Sequence, residues 1–237
     1  SFSAAAIFYY FLLFGVFVFV GQEEMQLFIP EWWYIREFLF QPGGFCAVAG
    51  QWIIQYYRQP MSAVVFHTVL LVGCGFMVYR ILRCFSDKTY LLFLSLLPVL
   101  YLVKMSIHGE YLVDGTVGVV LMLLALSVSL KVRRAGSIAG YGIASTLFLC
   151  GLTGLLSVCY AFLYTLLALL RYKTSRQRLA ASACLIPALF IYLFSGWLGI
   201  PVPLSDGWMP EAYLEIQRLP HYYMYRVWTF FTLSIVG

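Results

Sequence analysis

The chain reads as an all-α protein: a polytopic transmembrane helical bundle of about eight spans, with interfacial amphipathic helices in its first outer loop. Two observations predict this class. Hydrophobic residues make up 62% of the chain and charged residues only 11%, far from the balance of soluble domains, and the apolar residues fall in long blocks rather than stripes. The basic residues, in turn, gather in alternate connections between those blocks, as in a chain threaded back and forth through a bilayer.

The blocks lie at about 3–20, 61–82, 90–105, 113–130, 137–150, 155–172, 179–198 and from 227 onward, each near the ~20 residues that a hydrocarbon core requires. The first is longer than a signal-peptide core and is followed by no small-x-small cleavage site, so it reads as a span. The stretch 137–172 admits one long helix or a hairpin turning near Gly151-Leu152-Thr153-Gly154. Charge separates the two. With a hairpin, the ends after the second, fourth and sixth spans hold Arg80, Arg83, Lys88, Lys131, Arg133, Arg134, Arg171, Lys173, Arg176 and Arg178 against one acid, Asp87. The opposite side then holds five basic residues and nine acids. A single helix would place the cluster at 171–178 on the acidic side. The hairpin is therefore expected, with the N-terminus cytoplasmic. The whole of 1–237 is expected to be one transmembrane domain, stopping inside an apolar run and so continuing beyond Gly237.

Three outward pieces follow from that threading. The first outer loop, 21–60, opens on Glu23-Glu24, continues through an amphipathic run with Trp32, Trp33 and Tyr34, and turns at Pro42-Gly43-Gly44. A second run, with Trp52, Tyr56 and Tyr57, completes it. Trp and Tyr settle at headgroup depth because their rings are apolar and their tips polar. The second piece is the short link 106–112, with His108 and Glu110, leading into Asp114. The third outer loop, 199–226, has turn residues at its start, an expected helix over 211–218, and then Arg218, His221, Tyr222, Tyr223 and Arg226.

Glu23, Glu24 and Asp114 are the catalytic candidates. Acids at the outer mouth of a bundle suit general-base work or a divalent metal, the one cofactor expected. The competing structural reading makes them solvated acids that mark the membrane edge and favour helix starts. Arg218, His221 and Arg226 are the substrate-binding candidates, since the planar guanidinium fork matches the phosphate of an anionic lipid; alternatively they anchor the last span by snorkelling, as Lys104 would. His67, two turns into the second span, reads more readily as a hydrogen bond between helices than as a ligand. The six cysteines show no metal-type spacing and act as small hydrophobes. No Gly-rich phosphate loop, HExxH or GxSxG is found. The net charge of +5 is explained by position and calls for no nucleic-acid partner. Few charges lie within the spans, which ranks a transporter last.

The stretch Gly21-Gln-Glu-Glu-Met-Gln-Leu-Phe28, the Pro42-Gly43-Gly44 turn and the segment Gln55-Tyr-Tyr-Arg-Gln-Pro60 resemble the opening of an uncharacterised family of polytopic inner-membrane proteins from Bacteroidota. The resemblance covers about the first quarter of the chain and implies an inner-membrane location without a role. A looser similarity is to the C-type glycosyltransferase fold, whose members share a cytoplasmic N-terminus and a long first outer loop lying on the membrane. It implies an acid after the first span as base or metal contact, here Glu23 or Glu24, and a polyprenyl-phosphate sugar as the lipid partner, met by Arg218 or Arg226. The acids here are Glu-Glu where an Asp-containing pair is commoner. The alternatives are a non-enzymatic envelope scaffold or assembly subunit and, last, a transporter.

Overall fold

A computed structural model describes residues 2–15, 30–86, 88, 90–106, 113–132 and 134–194. Among these residues all regular structure is helical. Helix α1 (Phe2–Tyr10) runs into a π-helical turn, Phe11–Gly15. The opening loop holds α2 (Trp32–Leu39), α3 (Gly44–Ile54) and a 3-10 turn, Gln55–Arg58. There follow α4 (Pro60–Arg83), α5 (Leu91–Ser106), α6 (Val113–Ser129), α7 (Ala135–Thr153), α8 (Leu156–Arg171), α9 (Ser175–Ser182) and α10 (Leu185–Leu193).

Local chemistry sets several of these boundaries. Pro60 opens α4 at the position where a missing N–H costs nothing, and Arg80 and Arg83 close its last turn, opposite in sign to the carbonyl end of the helix. Helix α7 stops where Gly154 takes φ +61°, a backbone state that side chains disfavour, and α8 begins two residues later. The expected hairpin over 137–172 is therefore present.

The expectation of eight spans is corrected. Two helices are long and apolar enough to cross a bilayer, over Met61–Arg83 and Gly136–Thr153. Only 28% of either 18-residue apolar window is buried, whereas a core helix of a soluble protein would be mostly covered. The apolar helices Leu91–Lys104, Val113–Ser129 and Leu156–Arg171 have fewer than 18 residues; at ~1.5 Å per residue they reach roughly 21–26 Å, short of the ~30 Å hydrocarbon core. The block expected at 179–198 is divided between α9 and α10 by a turn at Ala183-Cys184. Pro187 accounts for the break: its ring would clash with the carbonyl of Ala183, four residues back, so the helix restarts with proline in its first turn. The final block lies outside the described residues. The second run of the first outer loop is also corrected. Its helix, α3, carries Gln51 as its only polar side chain and is apolar rather than amphipathic.

The chain divides into two compact units, Ser1–Phe38 with Cys46–Val120, and Leu39–Phe45 with Leu121–Gly237. In the described part of the first, α5 packs along α4 and α1 lies against α4. Gly75 permits the α4–α5 contact: a Cβ there would stand 2.9 Å from Val99 Cγ2. Phe11, Val64, Leu71 and Cys74 are buried, while Val65, Val69, Val72 and Phe76 of α4 face outward at spacings of three and four residues. In the second, α8 packs on α7, α9 on both, and α10 on α8 and α7. Tyr160, Tyr164, Ala168, Cys184 and Ile191 form its interior. Gly142 makes room for two of them, since its Cβ would lie 3.1 Å from Tyr164 and 3.2 Å from Cys184.

The Pro42-Gly43-Gly44 turn is seated in this second unit, on the hairpin turn between α7 and α8. Gly43, at φ +84°, donates its N–H to the Gly151 carbonyl at 3.1 Å. A Cβ on Gly43 would lie 3.3 Å from the Gly154 nitrogen, and one on Gly154 3.4 Å from the Pro42 oxygen. Two glycine turns meet backbone to backbone.

Candidate functional site at Asp114

Of the six candidate site residues, Asp114 falls among the described residues; Glu23, Glu24, Arg218, His221 and Arg226 lie outside them, as do His108 and Glu110. Asp114 is the second residue of α6, in the turn where a carboxylate complements the exposed N–H groups of a helix start. One carboxylate oxygen, Oδ1, accepts the N–H of Gly115 at 2.6 Å.

The opening loop comes directly onto this residue. A Cβ at Gly50 of α3 would lie 2.7 Å from the Asp114 nitrogen and 2.9 Å from its Cα and Cβ, a spacing that only glycine allows. The backbone of α3 is thus laid on the first turn of α6. One turn before Gly50, Cys46 is buried; burial first, and the neighbouring Asp114 carboxyl second, push its thiol up to about 12. Two residues after Asp114, the Thr116 hydroxyl is buried and has no hydrogen-bond partner among the described residues.

This arrangement offers a half-buried carboxylate beside a protonated thiol. The carboxylate can accept a proton from a hydroxyl brought to its free oxygen. Among the described residues no three His, Cys, Asp or Glu side chains are grouped to hold a metal.

The rest of the loop is built from aromatic side chains. The Tyr34 hydroxyl donates to Gln51 Oε1 at 3.1 Å, tying α2 to α3, and the Trp33 indole N–H donates to the Glu31 carboxylate. Trp32, Trp33 and Phe40 stand exposed at 70%, 58% and 80%, as expected of rings that seek a headgroup layer. His67 is packed inside, its hydrogen bond made to the 3-10 turn that precedes α4 rather than to a second long helix. It is buried, its Nδ1 lies 2.6 Å from the Tyr57 hydroxyl, and Phe11 meets its ring edge-on at 5.3 Å.

Reading the sequence missed the roles of Gly50 and Cys46. The signal was small residues at four-residue spacing in an apolar helix, which marks close helix approach but names no partner. It also missed the contact between Gly43 and Gly154, although both turns stood out separately.

Over residues 1–237 the chain matches the model of the Family of unknown function (DUF6057), and it belongs to that family. No curated protein matches it, and no solved structure does.

Proposed function

We propose that this family member is a polytopic membrane protein of the bacterial inner membrane, N-terminus inside, that transfers a sugar from a polyprenyl-phosphate carrier at its outer face. In this reading Asp114, with Glu23 and Glu24, supplies the base that takes the acceptor's proton. Arg218, His221 and Arg226 meet the lipid phosphate. In this reading the shorter apolar helices also count as spans beside the two long ones; local thinning of the bilayer accommodates them.

The observation that carries the membrane reading is the outward apolar face of helices whose inward face is apolar too. Val69 of α4, Phe93 of α5 and Phe148 of α7 are 64%, 71% and 68% exposed. A helix in water would turn polar residues to that side. Packing of α3 on Asp114 supports the site in so far as it sets Gly50, from the outer loop 21–60, on the first turn of α6.

One observation favours a second reading, an envelope scaffold. Asp114 already serves its own helix through the Gly115 N–H, which is sufficient reason for an acid there. Sugar release from a radiolabelled polyprenyl-phosphate donor, measured in membranes, separates the two. An Asp114→Asn variant and a Glu23→Gln, Glu24→Gln variant that insert normally should each lose activity by about 100-fold or more. Full activity in both would end the site assignment. No activity in the wild type with any lipid-linked donor would leave the scaffold.

A further inference from the structure

Between Asp114 and Asp206 the chain contains no acidic residue, yet two basic connections fall within that stretch, around 131–134 and 171–178. The fold joins them. The Tyr172 hydroxyl, from the link after α8, donates to the Val132 carbonyl in the link before α7 at 2.7 Å. Arg178 Nε in turn donates to the Tyr172 carbonyl at 2.7 Å. Lys131 and Arg134 flank Val132, and Arg171 and Lys173 flank Tyr172, so the two links make one end of the second unit. Lys131, Arg134, Lys173, Arg176 and Arg178 are all exposed there.

What borders these cations identifies their partner. Leu170, beside Arg171, is 69% exposed, and Leu179, beside Arg178, is 75% exposed. Uncovered leucines next to exposed cations mark a rim where hydrocarbon gives way to charge. From this rim we infer that the joined links form a docking surface for anionic phospholipid headgroups. Guanidinium groups pair with phosphate in a bidentate manner, basic clusters beside apolar helices attract anionic lipid, and no acid of the same stretch competes for them. Tyr172 positions the surface by holding the two links together.

The inference rests on the membrane reading, and the experiment separates the two. The full chain is incorporated into nanodiscs of phosphatidylcholine containing spin-labelled phosphatidylglycerol or spin-labelled phosphatidylcholine as reporter. Spectra then give the fraction of each reporter held at the protein. Phosphatidylglycerol should be preferred about threefold at low salt, with the preference shrinking at ~0.5 M salt as screening shortens. A Lys131→Gln, Arg134→Gln, Lys173→Gln, Arg176→Gln variant should lose the preference, whereas Arg36→Gln with Lys104→Gln should keep it. Tyr172→Phe should reduce it, since both links remain charged but come apart. Equal retention of the two lipids, or a preference unchanged in the fourfold variant, overturns the docking surface and leaves the membrane reading standing. A chain that is washed from bilayers by alkaline carbonate overturns both.

Discussion

The two units bury polarity in different ways. The first places side chains that can carry charge against its helices: Asp114 under Gly50, and His67 between Tyr57 and Phe11. The second relies on neutral hydroxyls, which the first also buries at Ser95, Ser106 and Thr116. Ser129 and Tyr160 share a hydrogen bond at 2.6 Å, Tyr160 and Tyr164 stack with rings 5.8 Å apart, and Thr146 and Thr165 each return a bond of 2.8 Å to a carbonyl four residues back. Hydroxyls satisfied by their own helix can sit anywhere in a low-dielectric interior. A buried histidine or carboxylate needs a hydrogen-bond partner: His67 takes it from Tyr57, and Asp114 from Gly115 of its own helix. The difference teaches where function can reside: among the described residues the first unit holds a buried histidine and a half-buried carboxylate, and the second holds neither.

Substitutions can break or sharpen that contrast. The largest effect is expected for Gly154→Val, which combines φ +61° with the Gly43 backbone at contact distance. Backbone strain alone costs ~1–3 kcal/mol, so thermal unfolding in detergent should shift down by the most of this set. If Gly154→Val unfolds like wild type, the docking of the two glycine turns is wrong. Next comes Gly50→Ala in the first unit. Its methyl would meet backbone at 2.7 Å, and forcing α3 away costs about 1–3 kcal/mol by the usual penalty for overpacking. Unaltered thermal stability there would remove the seat of Asp114. Tyr57→Phe takes a buried hydroxyl from His67 and should cost ~1–2 kcal/mol, with His67→Phe in the same background costing little more if the pair acts as a unit. The smallest effect is expected from Ser129→Ala, about 0.5–1 kcal/mol, because it removes one neutral hydroxyl pair, with Tyr160. A loss at Ser129 larger than at Tyr57 would reverse the contrast between the units.

Much of the fold was legible because its cues are local. Gly154 could be placed at a turn from the glycines around it and from the side on which Arg171 to Arg178 had to emerge. Pro42-Gly43-Gly44 announced a turn for the same reason. Hydropathy, however, counts apolar residues and does not register where a proline ring meets a carbonyl, so the block containing Pro187 passed for one span. Composition also disguised α3, whose own Trp52 and the Tyr56 and Tyr57 that follow it suggested a polar face that the helix lacks. The site was the least legible part. Asp114 drew attention as an acid at a helix mouth, but its neighbours Cys46 and Gly50 lie more than sixty positions away in sequence, and no local pattern links an apolar helix to the partner that needs its smallest residue.

The meeting of the glycine turns also bears on how the protein is made. Gly43 cannot reach the Gly151 carbonyl until roughly a hundred further residues have left the ribosome, about 5–20 s at ordinary synthesis rates. For that interval the opening loop has no hairpin to rest on, and its exposed tryptophans are what can hold it at the lipid surface. Closure of the loop is therefore a late, long-range event in biogenesis, and a ribosome pause before Gly154 would catch the protein with its first loop still undocked.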